Sequence, residues 1–175
     1  LAPQQRFLRG LYSGGTLCDE AMTLLMPKLG AIHSNIPLRP DLRLADPHRS
    51  AGHTFVDLGS DEFTVGRPHP MIDQTIRIER LRREAQDPTV AAIVLDVVLG
   101  YGATPDPAAE LAPAIAEARE RARQAGRLLP VIVALVGTRA DPQGFDRQRE
   151  RLEAAGAIVV PSNAAAAELA AQLVA

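Results

Sequence analysis

Two nearly unbroken apolar runs dominate the second half of the chain: Ala91-Ala92-Ile93-Val94-Leu95-Asp96-Val97-Val98 and Pro130-Val131-Ile132-Val133-Ala134-Leu135-Val136. A segment apolar at successive positions must be covered on both faces, as in the centre of a parallel sheet with helices above and below. Phe7–Tyr12, Thr54–Leu58 and Ala157–Val160 read as three further, shorter strands. Helical segments lie between the strands. Thr16–Leu29 places Leu17, Ala21, Leu24 and Leu25 on one face. Ile72–Gln86 carries Ile72, Ile76 and Leu81 among Arg77, Glu79, Arg80, Arg82, Arg83 and Glu84, a charge run that reads as a solvated face. Asp106-Pro107 opens a helix that runs to Ala125 and stops at Gly126. Gly144 or Phe145 to Ala155 and an alanine-rich helix capped by Ser162-Asn163 complete the set.

Five strands alternating with helices predict an α/β fold, a doubly wound parallel five-stranded sheet of flavodoxin-like order 2-1-3-4-5. Right-handed crossovers then bring every functional loop to the carboxyl ends of the strands. At 175 residues the chain suits one domain, 1–175. Residues 30–53 break the pattern. They hold Pro37, Pro40 and Pro47 and no clean period, which predicts a long irregular loop of functional, partner-contacting or mobile character.

Composition narrows the functional classes. A net charge of -2 and 3% aromatic residues argue against a nucleic-acid surface. No apolar stretch reaches the roughly 18 residues of a membrane-spanning helix. A lone cysteine, Cys18, fits a reducing compartment, hence a cytoplasmic location. Leu1-Ala2-Pro3-Gln4-Gln5 lacks the features of a signal peptide and reads as the start of a piece of a longer protein.

The strongest chemical signal is Tyr12-Ser13-Gly14-Gly15-Thr16-Leu17-Cys18-Asp19-Glu20, which leaves the first strand and opens the first helix. Glycines allow close approach of a ligand, and a helix start offers free amides and partial positive charge, the requirements of a phosphate or carboxylate. The alternative is a plain glycine-containing turn. The segment is neither a Walker loop nor Gly-x-Gly-x-x-Gly.

Gly66-Arg67-Pro68-His69-Pro70 follows the second strand. Arg67 offers a planar fork for an anion and His69 an acid, base or cation near neutrality; a rigid connector is the competing account. Asp57, Asp61 and Glu62 read as a hydrated acidic loop rather than a magnesium site, and Asp96 as either a structural acceptor or a ligand at the sheet top. Gly100 and the pair Thr138-Arg139 occupy the third and fourth carboxyl-end loops, so Ser13, Arg67, Gly100 and Arg139 are expected on one rim. Cys18 is expected to pack inward rather than act as a nucleophile. No metal site is expected, since His33, His48 and His53 lack metal spacing.

Ser13-Gly14-Gly15-Thr16-Leu17 followed by Glu20-Ala21 resembles the Ser-x-Ser-Gly-Thr-Leu-x-x-Glu-Ala stretch of the succinyl-CoA synthetase α subunit, whose helix start holds the active-site phosphate. With Leu8–Ala21, Asp61–Asp73 and Leu95–Gly102 taken together, the chain resembles more closely the FdrA-type acyl-CoA synthetase relatives. The resemblance implies a succinyl-CoA ligase-like domain of an acid–thiol ligase. It would bind phosphate or acyl phosphate through Ser13, Gly14, Gly15, Thr16, Gly100, Thr138 and Arg139, with Arg67 and His69 as catalytic candidates. It also implies CoA and ATP with Mg in the full-length protein, an upstream CoA-binding domain or partner subunit, a small anionic substrate and an oligomer. Two alternatives are a component of a carbamoyltransferase complex in oxamate or ureide breakdown, and a non-catalytic assembly domain contacting partners through Gly30–Gly52. The synthetases carry their phosphoryl group on a histidine in a Gly-His-Ala-Gly loop after the fourth strand. The loop here, Gly137–Phe145, has no histidine, and all four histidines precede the third strand.

Overall fold

The computed structural model describes residues 1–174. Six parallel strands form one sheet: β1 (Phe7–Tyr12), β2 (Ile32–His33), β3 (His53–Asp57), β4 (Val90–Val98), β5 (Val131–Val136) and β6 (Ile158–Val160), in the order β2-β3-β1-β4-β5-β6. The five-strand expectation is therefore one strand short. Without β2 the order is the doubly wound 2-1-3-4-5. The missed strand is only two residues long and lies in the segment 30–53, where periodicity has no length over which to show itself. That segment also holds a 3₁₀ turn, Pro40–Leu42, and a parallel bridge between Ser34 and Arg43. It is pinned to the sheet rather than loose. Asn35 exchanges two hydrogen bonds with the main chain of Asp57, its Nδ2 donating to the carbonyl and its Oδ1 accepting from the amide, each at 3.0 Å.

The helices are α1 (Gly15–Leu29), α2 (Asp61–Thr64), α3 (Thr75–Glu84), α4 (Pro107–Gln124), α5 (Phe145–Ala154) and α6 (Asn163–Gln172). Each apolar run buries both faces. Ala92, Val94, Ile132 and Ala134 pack with Cys18, Ala21, Met22 and Leu25 of α1 and the alanines of α6. Ile93, Leu95, Val97 and Val133 pack with Leu81, Leu111, Ile115 and Leu152 on the other side. Within the sheet, Gly10 leaves room for the ring of its β3 partner: a methyl there would overlap Phe55, meeting its Cγ at 2.6 Å. Asp106 and Ser162 cap α4 and α6 by accepting from the amides of Ala109 and Ala165.

Two local expectations are corrected. α3 starts at Thr75 rather than Ile72, because the amides of Ile72 and Asp73 turn back to the His69 carbonyl and Asp73 Oδ1 accepts from Thr75 N at 2.8 Å. The α3 charge run is not wholly solvated: Arg77 and Arg80 are each 2% exposed and Glu84 is 4% exposed. They point inward because β1 and β4 carry ionic groups of their own, Arg9 and Asp96, which need partners. Glu84 binds Arg9 at 2.7 Å through one oxygen and Arg80 through the other, while Arg9 also reaches Asp87 at 2.8 Å. Arg80 continues to the Pro47 carbonyl and Ser50 Oγ, tying the 30–53 segment to α3.

Candidate functional site

The strand order reverses beside β1, whose neighbours are β3 and β4, and in such sheets the crevice beyond the carboxyl ends is the ligand position. As the chain leaves β1, Asp96 of β4 catches Ser13. Its Oδ1 accepts from the Ser13 amide at 2.9 Å and its Oδ2 from the Ser13 hydroxyl at 2.5 Å. Arg77 donates to the same carboxylate at 3.1 Å and to the Asp96 carbonyl. These donors offset the burial of Asp96, which is 1% exposed, and settle its role as a structural acceptor. The same contact uses the Ser13 hydroxyl internally, so it does not face a ligand.

Beyond Ser13 the chain opens. Gly14 is extended, at φ -167, and a methyl there would meet nothing within 4 Å. No side chain caps α1, and the amides of Gly14, Gly15, Thr16 and Leu17 have no hydrogen-bond partner among the described residues. These four donors lie at the positive end of a 15-residue helix, an arrangement whose electrostatics favour negative charge.

Asp57, at the end of β3, stands against this turn. It is 8% exposed, which overturns its reading as part of a hydrated loop. Oδ1 accepts from the Gly59 amide at 2.8 Å, while Oδ2 lies 3.4 Å from the point a Gly15 Cβ would occupy and takes no donor among the described residues. Burial pushes this carboxyl above the ordinary aspartate range, and Asp96 and Asp19 push it further; the Gly59 amide and His69 oppose them.

His69 reaches the same place. A methyl at Gly59 would overlap its ring and approach the Ser13 carbonyl oxygen to 2.6 Å, so glycine is required where the ring edge crosses this turn. Its Nδ1 accepts from the Met71 amide at 3.2 Å, which puts the proton of the neutral ring on Nε2. In this tautomer Nε2 presents an N–H donor and has no lone pair for covalent attack. Cys18 is buried beneath. Burial raises its thiol well above the usual value, with Asp57, Asp19 and Asp96 adding, so it packs inward as expected and is no thiolate nucleophile.

The other expected residues do not join this point. Arg67 is exposed and pairs with Glu79 of α3 at 3.3 Å, where it borders a cavity of about 250 Å³ with Phe63, Ile76 and Arg83. The Gly100 amide donates to Gln143 Oε1 at 3.1 Å. Thr138 bonds Asp141, and Arg139 pairs with Asp146 at 2.8 Å with its side chain 80% exposed. Of the expected residues, His69 stands beside the Ser13 turn, while the side chains of Arg67, Thr138 and Arg139 are engaged with acidic partners nearer home. Asp61 and Glu62 open α2 apart from Asp57, and Glu62 lies 3.8 Å from Arg43. Among the described residues no three His, Cys, Asp or Glu side chains gather as metal ligands.

Asn163 escaped the sequence reading, which saw only a helix cap. It is 3% exposed, accepts from Tyr12 Oη at 3.0 Å, and donates to the Leu17 carbonyl and to Glu20 at 2.7 Å. It fixes the second turn of α1 to the start of α6. A signal existed in hindsight: an asparagine one place after a capping serine has no capping task of its own.

The CoA-ligase family matches residues 11–173. The chain belongs to that family. It is also 48% identical over 163 residues to the uncharacterized protein YahF of Escherichia coli (strain K12), covering 93% of this chain and 32% of that protein. The chain therefore spans about a third of the length of this curated relative. Family membership accounts for the parallel sheet, the helices on both its faces and the succinyl-CoA ligase-like character of the domain.

Proposed function

We propose that this domain binds the phosphate or acyl-phosphate group of an acyl-CoA synthetase-type protein of the FdrA kind, at the start of α1. The observation that carries the reading is the set of four unpartnered amides from Gly14 to Leu17, with His69 beside them. In this reading the amides hold the anionic oxygens and the His69 Nε2–H donates to charge developing on the transferred group. Asp96, backed by Arg77, fixes Ser13 so that the next amides face outward. The residues fit the phosphoryl or carboxylate end of a ligand. CoA, ATP and Mg, which the family's chemistry employs, belong in this proposal to the longer protein, through an upstream CoA-binding domain or partner subunit in a cytoplasmic oligomer. A covalent phosphohistidine is not part of it, since loop Gly137–Phe145 has none and the His69 tautomer withholds the lone pair.

A carbamoyltransferase component is the second reading, and Asp57 favours it. A carbamoyl group brings N–H donors that an acyl group lacks, and Asp57 Oδ2 is an acceptor without a donor. Calorimetry with acetyl phosphate, carbamoyl phosphate, inorganic phosphate and CoA tests both. Binding of the phosphates, abolished by Gly15→Asp, is the expected result. Binding that survives Gly15→Asp places the anion elsewhere and removes the proposal.

A further inference from the structure

A concavity away from the turn after β1 lies between α2, α3 and the segment 30–53. It encloses about 250 Å³, and Leu58, Phe63, Ile76 and Val65 give it an apolar lining. The His48 ring stands edge-on to Phe63, 5.1 Å between centroids, and forms part of the wall. An apolar lining of this extent favours hydrocarbon over water. The charges around it do not cancel. Arg67 pairs with Glu79 at 3.3 Å, Arg80 pairs with Glu84, and Glu62 faces Arg43 at 3.8 Å. The Arg83 guanidinium, which also lines the cavity, has no ion pair or hydrogen bond among the described residues. It stands one turn beyond Glu79, a spacing at which glutamate and arginine pair on a helix, yet Glu79 turns to Arg67 instead. Its field reaches inward: burial pushes the Arg80 guanidinium below its ordinary value, and Arg83 and Arg9 push it further against the pull of Glu84. A negative charge seated beside Arg83 relieves that repulsion.

We propose that this cavity is a binding site for apolar monocarboxylates, with the carboxylate on the Arg83 fork and the hydrocarbon tail against Leu58, Phe63 and Ile76. One uncompensated arginine matches one negative charge. A phosphate monoester carries nearly two charges near neutrality and would set the second against Glu62 and Glu79. The volume is that of roughly eight waters at about 30 Å³ each, which suits an acid of about six carbons. The cavity shares no lining residue with the start of α1, and the inference does not rest on the function proposed for that turn.

Amide chemical shifts of the isotope-labelled chain, titrated near neutral pH with hexanoate, acetate and hexylamine, test it. Each buried methylene is worth about fourfold in affinity, so hexanoate should bind at least about tenfold more tightly than acetate and move the amides of 62–67 and 76–83. Hexylamine, with the same tail and the opposite charge, should bind at least about tenfold more weakly than hexanoate. Arg83→Gln should weaken hexanoate binding by about three- to fivefold. Arg82→Gln removes the same charge one position earlier, where the guanidinium is already paired with Glu117 at 2.9 Å, and should leave hexanoate binding unchanged. Both arginines are exposed on α3, so both variants keep the fold. Hexanoate that does not bind, that binds no better than acetate or hexylamine, or that binds Arg83→Gln as tightly as Arg82→Gln overturns the inference.

Discussion

Two polar clusters lie along β1 and β3, one buried and one open to solvent, and they are built on opposite terms. In the Arg9, Arg80, Glu84 and Asp87 group the charged atoms find partners: both Glu84 oxygens are taken, and the spare donors of Arg9 and Arg80 end on the carbonyls of Gly52 and Pro47. At the start of α1, by contrast, four amides and one carboxylate oxygen of Asp57 have nothing to bind among the described residues. Burial of polar groups is costly unless they are paired. The saturated cluster is therefore architecture, while the second cluster leaves its groups to water or, in the function proposed above, to a ligand.

The largest expected effect comes from breaking the saturated cluster. Glu84→Ala leaves the buried Arg80 guanidinium without its carboxylate and Arg9 with Asp87 alone, and should destabilise the chain by about 3–5 kcal/mol, measured by urea unfolding. Asp96→Ala strands Arg77 and frees Ser13, so a loss of similar size is expected, with weaker phosphate binding wherever enough folded protein remains to titrate. A loss below about 1 kcal/mol in either variant would erase the distinction between the clusters.

The pH responses of the two clusters should run in opposite directions. Burial raises the Glu84 carboxyl, but Arg80, Ser50 and Arg9 more than reverse this and hold it below its ordinary value. A depressed folded-state value gives stability that is present above the unfolded carboxylate range and is lost as pH falls through the folded one. Acid unfolding should therefore begin below about pH 4 and be blunted in Glu84→Gln. Asp57 is raised, so its contribution is present at low pH and lost as pH rises through its folded value. Asp57→Asn should then be slightly the more stable form at pH 8, by no more than about 2 °C in Tm because solvent reaches the carboxylate, with the gap closing below about pH 4. Equal Tm values at pH 8 would show that Asp57 bears no unrelieved charge. The smallest expected effect is that of Arg139→Ala. Its guanidinium is solvent-exposed and, among the described residues, paired with Asp146 alone, so neither Tm nor phosphate affinity should move.

What was legible in the sequence follows from the physics of each signal. Val90–Val98 and Val131–Val136 declare a doubly covered sheet because burial on both faces forbids alternation. The glycine turn after β1 declared itself because paired glycines between a strand and a helical period mark a βα junction, and α1 does begin there. Arg77, Arg80 and Glu84 did not, since inward-turned charges on a helix share the composition of outward-turned ones, and only the facing strands decide. Asp57 and His69 come together across twelve residues through a glycine between them, a proximity no spacing rule encodes. Arg67 and Arg139 were chosen for chemistry alone, and nearby carboxylates claimed them first.

The Asn35 clamp has a consequence for growth of the sheet. Its side-chain amide copies the donor and acceptor of a strand residue and so continues the pairing of β3 past the two residues of β2, while the Ser34–Arg43 bridge lies just outside. That margin is already hemmed by the chain's own backbone. β6, three residues long and paired among the described residues with β5 alone, is the margin open to an added strand, so any sheet-to-sheet fusion of two copies should run through Ile158–Val160.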